Sequence, residues 1–254
     1  MPDLSSALEK LRRAKIHIQE AQAIEQRFIN SQFYTTAVKR RGQGRFVIEL
    51  ASLEKLPVDL ALALGDAAHC LRSALDHIAF ACVKKKLTGD EERGVAFPIC
   101  STKKNFRASK RWLKHLPKRA ASLVDTFQPY HRRKQPDAIQ LSILQTINDW
   151  DKHRMLPITA SHVKRSTFTV SGTDGITAIK TYRGRMKVGA VLARFEAKNR
   201  MDGHDVKMAG KLVIVPRFED RMPRDVVNKT AINSLVFAYN FIKTRVIPAF
   251  TALK

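Results

Sequence analysis

The stretch LALALGDAAHCLRSALDHIAFACV, Leu60 to Val83, decides the fold because it is the longest apolar run in the chain. Pro57 suits the first turn of a helix, and we predict that this helix continues to about Lys85. Five polar side chains interrupt the run, namely Asp66, His69, Arg72, Asp76 and His77. These interruptions exclude a transmembrane helix, so the run predicts a core helix of a globular protein.

The sequence before this helix predicts one long helix and a hairpin. Apolar residues recur at helical spacing from Leu4 to Ile29. The segment FYTTAVKRRGQGRFVIEL then predicts two strands joined at Arg41-Gly42-Gln43-Gly44, because β-branched and aromatic residues flank a turn that contains glycine.

The sequence after the helix predicts further helices and then a sheet. We expect two short helices, Lys104 to Trp112 and Lys118 to Phe127, and a longer one after Pro136 over DAIQLSILQTINDWDKHRM. Strand-like alternation follows from about Ile158 to Phe218, and a last helix is predicted from Pro223 to about Phe250. The predicted turns of the sheet carry glycine at Gly172, Gly175, Gly184, Gly203 and Gly210.

These elements predict the α+β class: a helical bundle body with an early β-hairpin and a later antiparallel sheet of about four strands. Because no repeat and no low-complexity linker divides the chain, we interpret residues 1–254 as a single domain. Its helical body comprises residues 1–157 and 223–254, and a β-meander is inserted at about 158–218.

The charge of the chain points to a polyanionic partner. The sequence holds 46 Lys and Arg against 23 Asp and Glu, a net charge of +23, which far exceeds what solubility requires. Nucleic acid is the expected partner because a basic surface releases the counterions condensed on phosphates. A membrane surface and nonspecific binding of anions are the competing explanations, and we expect no membrane partner. The residues predicted to bind nucleic acid are Lys84, Lys85, Arg111, Lys114, Arg132, Arg133 and Arg154.

Several classes of protein are disfavoured by missing motifs. The three cysteines include no CxxC pair, which indicates reduced thiols and a cytoplasmic protein, and the N-terminal sequence lacks the pattern of a signal peptide. No GxxxxGK[ST] or GxGxxG loop is present, so we expect no nucleotide cofactor. Potential metal ligands exist at His69, Asp76, His77, Asp151 and His153, but no metal motif joins them, and we expect no metal.

The polar residues of the second helix fall within an arc of roughly 140°, with Leu62 and Phe80 at the two ends of that face. Buried charges need partners, and NDWDKHR, Asn148 to Arg154, offers both signs of charge. We expect Asp76 to meet Lys152, and Asp149 or Asp151 to meet Arg72 or His69. One interpretation of this meeting is a structural network of ion pairs, and the other is a catalytic site.

The spacing of Arg72 and His77, with four residues between them, resembles the signature of HEPN (higher eukaryotes and prokaryotes nucleotide-binding) domains. The longer pattern GDAAHCLRSALDH, FPIC, QPY and NDWDKHR is similar to a set of bacterial hypothetical proteins. The HEPN resemblance implies a helical, metal-independent endoribonuclease of a defence or toxin kind. It also implies a homodimer in which Arg72 and His77 of both subunits flank one groove.

The chemistry expected of such a site follows from the residue types. Cleavage by the ribose 2′-hydroxyl needs a general base and acid, for which His77 is our candidate. Arg72 would hold the phosphate, and Asp76 would orient a neighbouring cation. The further candidates are His69, Lys152 and His153. The alternative is a noncatalytic, basic nucleic-acid-binding protein whose polar helix stripe is a structural ion-pair network.

Overall fold

The computed structural model describes residues 1–160, 162–171, 176–181, 184–185, 187–197 and 207–253. The α+β class predicted from the sequence is confirmed. The chain divides into two compact units: a helical unit of Met1–Ala23, Val58–Pro157 and Asp220–Lys254, and a sheet unit of Ile24–Pro57 and Ile158–Glu219. The predicted boundary near residue 157 coincides with a unit boundary, but the hairpin, predicted to belong to the helical body, clusters with the later strands. That the chain is a single domain stays a prediction.

The α-helices are α1 Ser5–Asn30, α2 Val58–Ala81, α3 Gly89–Arg93, α4 Lys103–Ala108, α5 Lys118–Thr126, α6 Ile139–Asp151, α7 Ala231–Phe241 and α8 Ile247–Thr251. Short 3₁₀ turns cover Ser109–Leu113, Pro129–His131 and Pro136–Ala138, and a π turn at Ile242–Val246 joins α7 to α8. In the described part of the chain, no helix is both long and apolar enough to cross a membrane.

Helix α2 forms the centre of the helical unit, where it packs against α6 and α7. It begins at Val58, as Pro57 predicts, and ends at Ala81, four positions before the predicted Lys85. Two bonds of the tighter i→i−3 kind close its end: the backbone N–H of Cys82 donates to Ala79 and that of Val83 to Phe80. Such bonds satisfy terminal carbonyls and end the α-helix.

The last helix starts later than predicted. Residues from Pro223 form turns, in which the N–H of Val226 donates to the Pro223 carbonyl at 2.9 Å. Asn228 has a φ of 60°, a left-handed conformation that a right-handed helix cannot include. Helix α7 therefore begins only at Ala231.

The strands are β1 Tyr34–Gly42, β2 Arg45–Leu53, β3 Ile158–Thr159, β4 His162–Ser171, β5 Ile176–Thr181, β6 Gly184–Arg185, β7 Val191–Ala197, β8 Lys207–Ile214 and β9 Arg217–Phe218. The hairpin of β1 and β2 turns where predicted, with positive φ at Gly42 and Gly44. The predicted glycine turns at Gly172, Gly175 and Gly203 lie outside the described residues.

The later strands pair antiparallel, as predicted, but not as a simple meander. Strands β7 and β5 extend the hairpin into one sheet of order β1-β2-β7-β5, while β4 pairs with β8 and β6. A two-stranded hairpin is only marginally stable by itself. Pairing with β7 gives hydrogen-bond partners to the backbone groups on the free edge of β2. Phe46 of β2 stacks on Phe195 of β7, with ring centroids 5.2 Å apart, inside an apolar core.

Candidate functional site

The polar stripe of α2 lies at the surface of the helical unit. Asp66 and His69 are exposed, and Ser73 and His77 are half-buried. Leu62 and Phe80, predicted to fence the stripe, are themselves 51% and 46% exposed. The ends of the stripe are therefore open to solvent within this chain.

Arg72 and Asp76 both bind the backbone of Phe97, at the start of the FPIC segment. The guanidinium of Arg72 donates to Oδ1 of Asp76 at 2.8 Å and to the carbonyl of Phe97 at 2.8 Å. Oδ1 of Asp76 also accepts the N–H of Phe97 at 2.9 Å. The two side chains thus satisfy both polar groups of one residue, an arrangement that we call the Phe97 clamp.

A second buried side chain holds the other end of FPIC. Gln128, from the QPY motif, is fully buried. Its amide nitrogen donates to the carbonyls of Pro98 and Val124, each at 2.8 Å, and its Oε1 accepts the N–H of Cys100 at 2.9 Å. The motif residues of α2, FPIC and QPY are therefore joined through backbone groups.

The expected pairing of Asp76 with Lys152 is wrong. Asp76 is occupied by the Phe97 clamp, while Nζ of Lys152 lies 3.7 Å from Oδ1 of Asp149 on its own helix. The reason is that Arg72 and Asp76 stand four residues apart on α2 and so reach each other directly. The spacing of Arg72 and Asp76 is visible in the sequence and indicates their pairing. Their other partner, the backbone of Phe97, cannot be recognised from the sequence.

The NDWDKHR tract does approach α2, but near Gly65 instead of near Asp76. Helices α2 and α6 pack together, and Asp151 of α6 lies so close to Gly65 that a Cβ atom built there would stand 2.5 Å from Cγ of Asp151. Burial is the main cause that raises the pKa of Asp151; the Asp66 carboxylate raises it further, and His69 acts in the opposite direction. Of the pairings expected between the two helices, this electrostatic interaction supports the one between Asp151 and His69.

Among the described residues, none of the remaining candidate catalytic residues shares a hydrogen bond or ion pair with Arg72. His77 is half-buried on α2, whereas Lys152 and His153 are exposed beyond the end of α6. Arg154 lies over the ring of Trp150, at 4.4 Å from its centroid. Among the described residues, no hydrogen bond or ion pair links Lys152 or His153 to Arg72, Asp76 or His77.

The residues predicted to bind nucleic acid are all exposed. Lys85 is the one with a strong carboxylate partner: its Nζ donates to Glu91 at 2.8 Å. This bond, followed by that from the Thr88 N–H, lowers the pKa of Glu91 to about 2. Arg111 lies over Trp112, with 4.8 Å between its Cζ and the ring centroid.

A further polar network, which the sequence analysis missed, follows the QPY motif. Oδ1 of Asp125 accepts hydrogen bonds from the hydroxyl of Tyr130 and from Nε2 of His131, the latter at 3.1 Å. Burial acts to raise the pKa of Asp125, but these two hydrogen bonds outweigh it and lower that pKa. Burial and the Asp125 carboxylate raise the pKa of Tyr130. Asp125 and His131 are six residues apart across a helix end, a spacing that carries no recognisable signal.

The potential metal ligands named from the sequence are His69, Asp76, His77, Asp151 and His153. Among the described residues, no group of three or more His, Cys, Asp and Glu side chains is arranged to hold a metal ion.

Comparison with known proteins gives no relative from which a role could be transferred. No protein-family model, curated protein or solved structure matches the chain significantly.

Proposed function

We propose that this protein binds a polyanion through the basic segment 84–134, that RNA is the first candidate for this polyanion, and that the protein does not cleave the bound RNA. The observation that carries the proposal is a set of exposed cations in this segment that have no ion pair to any described carboxylate. They are Lys84, Lys86, Lys104, Arg107, Lys110, Lys114, Lys118, Arg119, Arg132, Arg133 and Lys134. Cations without carboxylate partners can exchange water and counterions for phosphates at little cost.

The Phe97 clamp favours binding over cleavage. The guanidinium of Arg72 already donates to Asp76 and to the Phe97 carbonyl, and its side chain is only 15% exposed. The clamp uses two of the five N–H groups of this guanidinium, and a phosphate could reach the other three only through the small exposed part of the side chain. The stripe of α2 is thus better suited to hold the FPIC segment than to bind a scissile phosphate.

The test is binding of a labelled single-stranded RNA, followed by fluorescence anisotropy. We expect the triple variant Arg132→Gln, Arg133→Gln, Lys134→Gln to bind more weakly than the wild type. The matched control removes three exposed cations elsewhere, through Lys15→Gln, Arg27→Gln and Lys55→Gln. An equal loss in both variants would indicate a nonspecific charge effect and would contradict the assignment to segment 84–134.

A second candidate is the HEPN-like, metal-independent endoribonuclease implied by the Arg72 and His77 spacing. The observation that favours it is that His77 makes no hydrogen bond to a described residue and is only half-buried. An imidazole without a fixed partner can take the proton of a ribose 2′-hydroxyl. Arg72 would then have to donate an N–H group that the clamp does not use to a phosphate oxygen.

Incubation with mixed RNA in EDTA separates the two candidates. His77→Ala is the informative variant, because removal of Arg72 would also disrupt the clamp. Cleavage by the wild type that is lost in a folded His77→Ala variant would support the nuclease. No cleavage by the wild type, or equal cleavage by both proteins, would contradict it.

Two further parts of the proposal concern the state of the protein. We propose a cytoplasmic location, supported by the three buried cysteines, Cys70, Cys82 and Cys100, which are free of disulfides. We also propose a homodimer, supported by the exposed apolar side chains of Leu62 and Phe80 beside the polar stripe. Light scattering after size-exclusion chromatography tests the dimer, and a monomer at all concentrations would contradict it.

A further inference from the structure

We infer that a cavity of about 430 Å³ in the helical unit binds a phosphate monoester carried on an aliphatic chain. The C-terminal end of α2, the N-terminal end of α5, the first residues of the chain and Leu253 surround this cavity. Its volume lies within the range of small-molecule sites in proteins. The inference does not use the polar stripe, but the cations of the cavity, Lys84, Lys118 and Arg119, also belong to the segment proposed to bind RNA.

Part of the cavity lining is apolar. Ala81, Cys82, Val83, Ala120 and Leu253 form it, and none of the lining residues is aromatic. The thiol of Cys82 is buried, which raises its pKa to about 11, so it contributes an uncharged surface. Such a wall suits an alkyl chain, whereas a nucleobase would be expected to find an aromatic ring to stack on.

The lining also contains cations. Lys84, Lys118 and Arg119 line the cavity, and no ion pair joins any of them to a described carboxylate. The single acidic residue of the lining is Asp3, whose Oδ1 accepts the N–H of Ser5 at 2.9 Å and so faces the start of α1. Three cations against one carboxylate favour an anion of more than one charge, which makes a phosphate monoester a better match than a carboxylate.

Backbone donors at the start of α5 add to the positive charge of the lining. Helix α5 begins at Lys118 after Pro117, which has no N–H and provides no side-chain cap. The N–H groups of Lys118, Arg119 and Ala120 belong to the first turn and therefore have no acceptor within the helix. The same three residues line the cavity. Phosphate oxygens could accept these hydrogen bonds while the Lys and Arg side chains neutralise the charge.

Isothermal titration calorimetry with the full chain tests the inference, with octyl phosphate as the probe. We expect saturable binding of octyl phosphate and much weaker binding of inorganic phosphate and of octanol. Inorganic phosphate lacks the alkyl chain, and octanol lacks the phosphate group. Equal affinities for octyl phosphate and inorganic phosphate would overturn the assignment of the aliphatic wall. No saturable binding of octyl phosphate would overturn the site.

Variants locate the site. The double variant Lys118→Gln, Arg119→Gln should bind octyl phosphate at least about tenfold more weakly. The matched control Lys110→Gln, Lys114→Gln removes two exposed cations of the same basic segment that do not line the cavity, and it should bind as the wild type does. Ala81→Leu, which fills the cavity without a change of charge, should also weaken binding. Equal loss in the control, or no loss in Ala81→Leu, would overturn the location.

The same chemistry could come from a free metabolite or from a lipid. Sedimentation with phosphatidylcholine vesicles, with and without phosphatidic acid, distinguishes these sources. Binding to phosphatidic acid that octyl phosphate displaces would assign a lipid, whereas binding of octyl phosphate alone would assign a free ligand. Both outcomes support the cavity as the site. Vesicle binding that octyl phosphate does not displace, with no calorimetric signal, would overturn it.

Discussion

Arg72 and Asp76 stabilise a loop by binding the two polar groups of a single residue, Phe97. Removing one of them leaves buried or half-buried groups without partners, which costs more than the net value of a hydrogen bond. We predict that Arg72→Ala lowers the free energy of unfolding by about 1–3 kcal/mol. Urea denaturation followed by circular dichroism measures this change.

The control for this prediction is an ion pair of similar local spacing at the surface. Arg93 lies 3.5 Å from Asp90 three positions earlier, and both side chains are almost fully exposed. Exposed pairs contribute little to stability because water competes for both charges. Arg93→Ala should therefore unfold close to the wild type, and a loss as large as that of Arg72→Ala would contradict the clamp.

Asp151 gives a pH-dependent prediction. Burial, with the Asp66 carboxylate as the next cause, raises the pKa of Asp151 above its ordinary value of 3.8, so ionisation of this carboxyl opposes folding. The folded state holds the proton at a pH where the unfolded state has lost it, and stability consequently falls as pH rises through this window.

We predict that Asp151→Asn is more stable than the wild type at neutral pH. The advantage should shrink as pH falls through the raised pKa and should vanish below 3.8, where the wild-type carboxyl is protonated in both states. Thermal unfolding of both proteins across this range measures the difference. A difference that is constant with pH would show that the charge of Asp151 is not its cause.

At the scale of elements, the sequence predicted the helices well where apolar periodicity was long. The predicted range for α1, Leu4 to Ile29, agrees with the structure within one residue at each end, since its apolar face is a local signal. The C-terminal end of α2 and the start of α7 could not be predicted, because backbone bonds and the left-handed Asn228 decide them. The pairing of β7 with β2 was also beyond prediction, since strand order depends on contacts far apart in sequence.

The candidate site was predictable only in part, for the same reason. The residues of the α2 stripe were identified from their helical spacing, and α6 does pack on α2. The partners of the stripe residues could not be identified, because Arg72 and Asp76 bind main-chain atoms of Phe97. The role of Gln128 could not be identified either, because it is a buried polar residue within a short motif. A main-chain partner leaves no trace in the residue types of a sequence.

The packing of α2 on α6 gives the prediction at the scale of elements. In a helix interior, alanine is normally more stable than glycine by about 1 kcal/mol. At Gly65, however, the added Cβ atom would overlap the Asp151 carboxylate. We predict that Gly65→Ala lowers the free energy of unfolding, as measured in urea.

The double variant tests the cause of this loss. In an Asp151→Ala background the overlapping carboxylate is absent, so Gly65→Ala should recover its ordinary helix preference and become neutral or stabilising. A loss of the same size in both backgrounds would show that the carboxylate of Asp151 is not the obstacle.

For the whole molecule, the net charge of +23 is the property that acts at long range. Charges that lie far apart on the surface still sum to a potential that attracts a polyanion, although salt screens this attraction. Hydrogen bonds such as those of the Phe97 clamp order the helical unit but do not change that sum. Fold stability and polyanion affinity should therefore respond differently to salt.

We predict that RNA affinity falls steeply with salt, whereas the free energy of unfolding changes much less. For single-stranded RNA, the slope of log affinity against log salt is about −0.7 for each phosphate that the protein neutralises. The triple variant Arg132→Gln, Arg133→Gln, Lys134→Gln should make this slope shallower if its cations contact phosphates. Anisotropy titrations at several salt concentrations measure it. An unchanged slope would place the contacts outside this cluster, and binding that is insensitive to salt would remove nucleic acid as the partner.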